Sequence, residues 1–491
     1  MDTLPTTLAQ SPLCHLQYDE YELKRIPKEQ LVVCISNALP NGLALKAQQS
    51  LWRELGQAFK WIDPETHNKL PGPKKHLQDS LFEAERDQLF LGTTFRSLSL
   101  DDGVPRLGHA NLTRILFKLI KKKKILVLPL HFSVVEYDVQ QIPVIRVRIG
   151  HPLKEKHQAR FDRPRQLRKF VRAKIFALGY AMELQQFFPE KVEDQEAIIE
   201  PIDPHLLERD IEQLPAKSLM VRKAEFDVYI AKAQQIPNLL TEIGRLREIT
   251  FREEGEGTGR KLDLDEYDLD YEQLFIWDRE AKRLVGGYRI GRGDEIFGKY
   301  GVEGFYIYSL FRIKKGFFPI MRESVELGRS YIIPDYQRKR LPLFLLWKGI
   351  LAFLLRHPQY RFLYGPVSIS KYYSHLAKGL IIQFVKAYYF DEKLARFLKP
   401  RTPFKFKKEK LDLQSLMRNF DGKLANLDQF IEDIEPGHIR IPILMKKYIK
   451  QNARFISFNL DPNFSDALDG FMILDLKDVP EETLEALQKE I

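Results

Sequence analysis

The stretch "VELGRSYIIPDYQRKRLPLFLLWKGI", residues 325–350, decides how this chain is read. From Val325 to Ile333 a lone acid and a lone arginine sit in an otherwise largely apolar, strand-like run. A polar, strongly basic turn follows, and then the run "LPLFLLWKGILAFLL", apolar on nearly all sides with Lys348 in its middle. Such a run predicts a core helix rather than an interfacial one. Pro342 suits its first turn, where a missing N–H costs nothing. By its residues alone this turn reads as a solvated basic loop before a core helix; a helix start there could also present backbone N–H groups and partial positive charge to a phosphate. Gln337, Arg338, Lys339 and Arg340 surround that position. On the strand, alternation puts Glu326 and Gly328 on one face and Arg329 on the other. An acid between Val325 and Leu327 is expected to be half-buried, with its pKa raised toward a useful range for a base. A plain structural ion pair of Glu326 with Arg289 or Arg329 fits the same spacing.

Outward from this stretch, strands are expected at "QLFIWD", "LVGGYRIG", "GFYIYSLF", "RFLYGPVSIS", "ARFISFNLD" and "DGFMILDL", after an amphipathic helix in "FDVYIAKAQQIPNLLTEIGRLREITF". That predicts a mixed sheet with flanking helices. Upstream, "LVVCI", "KKKKILVLPLHFSVVEYD" and "IPVIRVRIGHPL" read as strands, and "RPRQLRKFVRAKIFALGYAMELQQFF" has helical spacing. Strands and helices alternate there in the α/β manner. An acidic, Pro-containing segment around residues 190–220 separates the two halves. The expected domains are therefore 1–205 and 226–491, joined by a linker at 206–225.

Composition bounds the function. The chain has 491 residues, 44% of them hydrophobic, enough for more than one core. With 77 Lys plus Arg against 67 Asp plus Glu, the formal charge of +10 favours a polyanionic partner. Only Cys14 and Cys34 occur, so no disulfide framework or cysteine zinc site is expected, and the usage suits a reducing cytosol. The N-terminus lacks the basic start and apolar core of a signal peptide. No stretch is long and apolar enough for a membrane-spanning helix. Lys121 to Lys124, which follow "RILFKLI", and "FKFKKEK" near 404, where aromatics interleave with lysines, could hold an anionic membrane surface, at about 1 kcal/mol per basic residue. No helix-turn-helix, zinc-finger or RNP signature accompanies them, so no nucleic-acid partner is expected.

The residues "LREITFREEGEGTGRKLDLDEYDLDYEQLFIWDREAKRLVGGYRIGRGDEI", followed by "ELGRSYIIPDYQ" and "LWKGI", resemble the acyl-carrier-dependent N-acyltransferases that make ornithine and glycine lipids. These are GNAT-superfamily enzymes related to the acyl-homoserine-lactone synthases. The resemblance runs from about Phe226 to the end of the chain. It implies an α/β (α+β) fold with a C-terminal GNAT-like mixed sheet. It also implies transfer of a long acyl chain, 3-hydroxylated in that family, from acyl carrier protein or acyl-CoA to the α-amine of a small amino acid. No permanently bound cofactor and no metal are expected. The enzyme would work in the cytoplasm, peripherally at the inner face of the membrane.

The resemblance also assigns roles. Glu326 would be the base, with Arg289 and Arg329 as its orienting partners. Asp263, Asp265 and Asp268 of "KLDLDEYDLDY" would be acids on the amine side. A calcium-like or merely solvated acidic loop is the competing reading of those acids, and for the first the Gly and Glu positions of an EF-hand are missing. Ser368 and Ser370 of "SISKYYS" would line the acyl or amine pocket, and Gln337 to Arg340 would meet the pantetheine phosphate. The usual GNAT turn has small residues where Arg340 and Pro342 stand here. That departure favours a single pantetheine phosphate on an acidic carrier protein over a wrapped CoA pyrophosphate.

The first half is similar to glycerolipid acyltransferases. In those enzymes a strand ends in Ser-Asn-His with an Asp soon after. Here Ser36 and Asn37 remain, Ala38 replaces the His and Leu43 the Asp. Without an imidazole there is no general base, so a degenerate, structural or membrane-docking domain is expected. His131 is read as a structural histidine. Two rival functions stand beside the main one: a bifunctional enzyme that also O-acylates, and a non-enzymatic scaffold that binds the carrier protein or membrane.

Overall fold

The computed structural model describes residues 14–27, 31–37, 39, 43–56, 59–61, 73–86, 90–95, 110–185, 195–406, 413–435, 439–482 and 485. Ala38 and residues 407–410 of the second basic run lie outside them. Among the described residues no helix is long and apolar enough to cross a membrane. The chain forms two compact units. One comprises Met1–Pro189, His375–Ala377 and Lys407–Arg440; the other comprises Glu190–Ser374, Lys378–Phe406 and Ile441–Ile491.

In the first unit, β1 (His15–Gln17), β2 (Val32–Asn37), β3 (Phe59–Trp61), β4 (Phe90–Phe95), β5 (Leu126–Tyr137) and β6 (Pro143–Ile149) form a sheet in the order β1-β6-β5-β2-β4-β3. Pairing is parallel except between β5 and β6. The central strand β2 is apolar from Val32 to Ile35 and buried from Val32 to Ser36, as a strand covered on both faces must be. At its end Asn37 makes a two-way bond with the Phe132 backbone, 2.8 Å each way. Asn37 is thus a structural clamp between β2 and β5. Burial and the nearby Arg148 push His131 down to about 4, so its ring is neutral at physiological pH. The helix Leu424–Ile434, expected in the C-terminal domain, belongs to this unit. Its Asp433 lies 2.5 Å from His151, 2.6 Å from Lys174 and 3.3 Å from Arg25. Those contacts tie it here, and their residues are scattered too widely in sequence for periodicity to show it.

The second unit is built on eight strands: β7 (Leu219–Lys223), β8 (Phe226–Lys232), β9 (Glu272–Asp278), β10 (Arg283–Arg292), β12 (Ser324–Ile332), β13 (Phe362–Ile369), β15 (Arg454–Asp461) and β16 (Ala467–Asp475). Their order is β15-β16-β13-β12-β10-β9-β8-β7. β11 (Phe311–Ile313) and β14 (Leu398–Pro400) make a separate pair. The 206–225 segment is not a linker: it carries most of the helix Pro204–Glu212 and the edge strand β7. Asp203 caps that helix, and Asp210 on it accepts from the backbone of Asn238 and Leu239. Phe226–Lys232 is a strand, and the helix expected from there begins at Pro237 and runs to Glu253.

"GFYIYSLF" also departs from expectation. Its core is the short helix Tyr306–Leu310, which buries Tyr306, Ile307 and Leu310. Those positions are helically spaced, a pattern hidden by the neighbouring aromatics. The helix Arg340–Arg356 is the expected core helix. Gly349 on it sits so near the sheet that a Cβ would meet Val228 Cγ1 at 2.8 Å.

Candidate active site

The sheet opens at Glu326. Strands β12 and β13 are parallel neighbours through only three rungs, Ser324 with Phe362, Val325 with Leu363 and Glu326 with Tyr364. Beyond them β12 stays paired with β10 as far as Ile332, and β13 with β16 as far as Ile369. The two central strands therefore diverge directly after Glu326. Burial follows: Ser324 to Leu327 are buried, whereas Gly328, Arg329 and Ser330 are partly exposed. A Cβ on Gly328 would meet nothing within 4 Å, while one on Gly365 would lie 2.0 Å from the Leu327 carbonyl oxygen. Gly365 thus marks the closest approach of the strands and Gly328 faces the opening.

Glu326 is buried, not half-buried, with 1% of its surface exposed. Tyr271 Oη donates to its Oε2 over 2.7 Å, and the Ile307 N–H donates to its Oε1 over 2.8 Å. The Tyr306 N–H in turn donates to Tyr271 Oη at 3.1 Å. Burial pushes the carboxyl up to about 7, only partly offset by these bonds and by the Arg289 charge. It is therefore close to half-ionised at neutral pH.

Neither arginine touches it. Arg289 donates to Asp265 at 2.5 Å and lies 3.3 Å from Asp268. Its guanidinium stands against the rings of Tyr267, Tyr271 and Tyr306, with centroids at 5.6, 5.3 and 5.2 Å. Arg329 reaches Asp263 at 3.1 Å and the Tyr306 hydroxyl at 3.2 Å. Arg329 and Glu326 thus both bond to the Tyr271–Tyr306 pair, against the strict alternation expected. The reason is a β-bulge: pairing with β10 shifts between Gly287 and Arg289, and Arg329 takes a left-handed φ of 49°.

Asp263, Asp265 and Asp268 come together, but they are already neutralised. Arg247, on the helix Pro237–Glu253, donates to Asp263 at 2.9 Å and to Asp268 at 2.8 Å. Asp265 caps the turn that follows it by accepting from the Tyr267 N–H. Burial works to raise Asp263 and Asp268, but Arg247 with Arg329 or Arg289 outweighs it and holds both below the usual carboxylate range. Three arginines thus face three aspartates in a closed mesh. Sequence reading missed Arg247, whose only signal was its place on the buried face of an amphipathic helix, where a charge demands a partner.

The two serines have internal duties. Ser368 Oγ donates to Glu256 Oε2 at 2.8 Å, and Ser370 Oγ to the Glu254 carbonyl. Ser370 is spent on the backbone and lines no pocket through that hydroxyl. Gln337, Arg338, Lys339 and Arg340 are exposed at the start of the helix Arg340–Arg356, whose Lys339 N-cap makes no side-chain capping bond. Its first N–H groups are left for another acceptor. Among the described residues no group of three His, Cys, Asp or Glu side chains has the geometry to hold a metal.

Residues 246–347 match the acetyltransferase (GNAT) domain family. The chain is 27% identical over 300 residues to a glycine N(alpha)-acyltransferase of Phocaeicola vulgatus, covering 58% of this chain and 91% of that one. It is 33% identical over 217 residues to a glycine N(alpha)-acyltransferase of Bacteroides thetaiotaomicron, covering 42% and 64%. An L-ornithine N(alpha)-acyltransferase of Rhizobium meliloti is 33% identical over 110 residues, 21% of this chain and 35% of that one. Among solved structures, the CoA-dependent acyl-homoserine lactone synthase MesI aligns over 53% of this chain and 93% of its own, at 9% identity and a TM-score of 0.27. The match over residues 246–347 gives this chain a GNAT acetyltransferase domain, and the chain is an acyltransferase.

Proposed function

We propose that this protein transfers a long acyl chain from acyl carrier protein or acyl-CoA to the α-amine of a small amino acid, as a step in aminolipid synthesis. The observation that carries the reading is a carboxyl poised near neutrality at the point where two central strands part. The opening admits the pantetheine arm between β12 and β13, and the helix start at Arg340 meets its phosphate. The amine attacks the thioester carbonyl carbon; the C–N bond forms as the C–S bond breaks. Glu326 takes the proton the nitrogen sheds, and the sulfur leaves as the free thiol after taking up a proton. A base with a pKa near the working pH suits this task.

In the arrangement described, Tyr271 and the turn Tyr306–Leu310 cover Glu326. The reading requires that turn to open when substrates bind. The names of the relatives support glycine or ornithine as the acceptor. The first unit is read as a degenerate acyltransferase-like domain with a structural or membrane-docking role, since Asn37 is committed to the backbone. The test is to incubate purified protein with acyl carrier thioester or acyl-CoA and either amino acid, and to identify the N-acyl product by mass spectrometry. Carrier binding without thioester consumption would instead support the scaffold.

A further inference from the structure

A second acidic group lies beside the arginine–aspartate mesh and is not neutralised by it. Glu256, Asp461 and Asp469 are 9%, 2% and 3% exposed. Asp469, on β16, stands directly opposite Ser368 on β13, so the two side chains share a face. Ser368 donates to Glu256 on that face. Asp461 pairs with Ala467, two residues from Asp469 and hence on the same face. Ser368 belongs to the part of β13 that has already left β12, which places the group at the sheet's opening.

The partners of these three carboxyls are neutral. Glu256 accepts from Ser368, and Asp461 accepts from the Tyr306 hydroxyl at 2.8 Å and the Asn463 N–H at 2.9 Å. Asp469 accepts no hydrogen bond from any described residue. Arg329 acts on Glu256 and Asp469 only at a distance, its guanidinium being given to Asp263 and Tyr306, and Lys378 adds a weaker pull on Glu256. Burial, then Asp461 and Glu256, push the Asp469 carboxyl well up. Burial and Glu254 push Glu256 up to about 7. Buried acids whose cations lie only at a distance are costly to ionise together, and a cationic ligand bound among them would supply the compensating charge.

Resting on the acyltransfer reading above, we propose that Glu256, Asp461 and Asp469 form the subsite for the ammonium group of the amino-acid acceptor, with Asp469 as its direct carboxylate partner. An ammonium has three N–H donors and no acceptor. Three acidic side chains with the Ser368 oxygen beside them match it. The Asp263, Asp265 and Asp268 trio cannot serve, because each is held by an arginine. Binding a cation here favours the ionised carboxyls, so acceptor binding near pH 7 releases protons.

The test is equilibrium binding of glycine and of ornithine to the full-length protein without thioester, by calorimetry in buffers of different ionisation enthalpy. Glycolate, which lacks the ammonium, is the control. Wild type is expected to bind one amino acid with net proton release and to bind glycolate at least tenfold more weakly. Asp469→Asn is expected to weaken amino-acid binding tenfold or more while melting at the same or a higher temperature at pH 8. Glu256→Gln, a second variant, is expected to reduce proton release. In turnover, Asp469→Asn should raise the KM for the amino acid and leave that for the thioester unchanged. Absence of amino-acid binding by wild type, or unchanged affinity in both variants, overturns the proposal. Acyl transfer to glycine with an unchanged glycine KM in both variants overturns this subsite and leaves the activity standing. Glycine bound through Asp469 with no thioester consumed does the reverse.

Discussion

The Tyr271 hydroxyl donates to Glu326 over 2.7 Å, the shortest polar contact this buried carboxylate makes. That bond stabilises the ionised form and counters burial, which sets the pKa near 7. A base of this kind is active when deprotonated. The kcat/KM for acyl transfer is therefore expected to be level above about pH 7 and to fall tenfold per unit below it. Tyr271→Phe removes the bond, so the inflection should move to higher pH. An unmoved inflection, or one that moves down, contradicts the assignment.

Arg247 neutralises Asp263 and Asp268 where all three are buried. Arg247→Met leaves two carboxylates without their shared cation, at a cost of about 3–5 kcal/mol. The variant is expected to melt well below wild type, and Arg247→Met with Asp263→Asn to recover part of the loss. Thermal melting followed by near-ultraviolet circular dichroism reads both.

Gly365 is the residue that lets β13 lie close to β12 at the point where the strands part. A Cβ there would sit 2.0 Å from the Leu327 carbonyl oxygen, a distance only backbone movement can relieve. Gly365→Ala is expected to lower stability by roughly 1–3 kcal/mol and activity by more than tenfold. Gly328→Ala, where a Cβ meets nothing, should fold normally. Paired melting and rate measurements on the two variants check this.

On the proposed reading, the exposed turn at Gln337 to Arg340 meets the phosphate of an acidic carrier with backbone N–H groups and positive side chains. Arg338→Glu with Arg340→Glu should raise the KM for acyl carrier thioester tenfold or more, and flatten its dependence on salt. An acyl-pantetheine lacking the phosphate should be affected far less. Equal effects on both donors would show that the turn does not meet the carrier.

Much of the second unit was legible because its signals are local. Val325 to Ile332 reads as a largely apolar strand, and the helix after Arg340 is apolar on nearly all sides. What was not legible depends on long-range pairing. The bulge that turns Arg329 toward Tyr306 is set by the register of β10 against β12. The mesh around Asp263 and Asp268 needs Arg247 from another element. The return of Leu424–Ile434 to the first unit is decided by Asp433 meeting Lys174 and His151. Asp469 gave no sign at all, because an acid in a strand looks like a solvated edge until its burial is known.

The central claim is that Glu326, at the parting of β12 and β13, receives the proton of the acylated amine. Its most direct test is the rate of N-acyl amino acid formation under saturating substrates, by mass spectrometry, for wild type and Glu326→Gln. The glutamine fits the same space between Tyr271 and Ile307. A loss of at least a hundredfold in kcat, with thioester and amino acid still bound, is the predicted result. A glutamine variant that forms product at the wild-type rate would contradict the account.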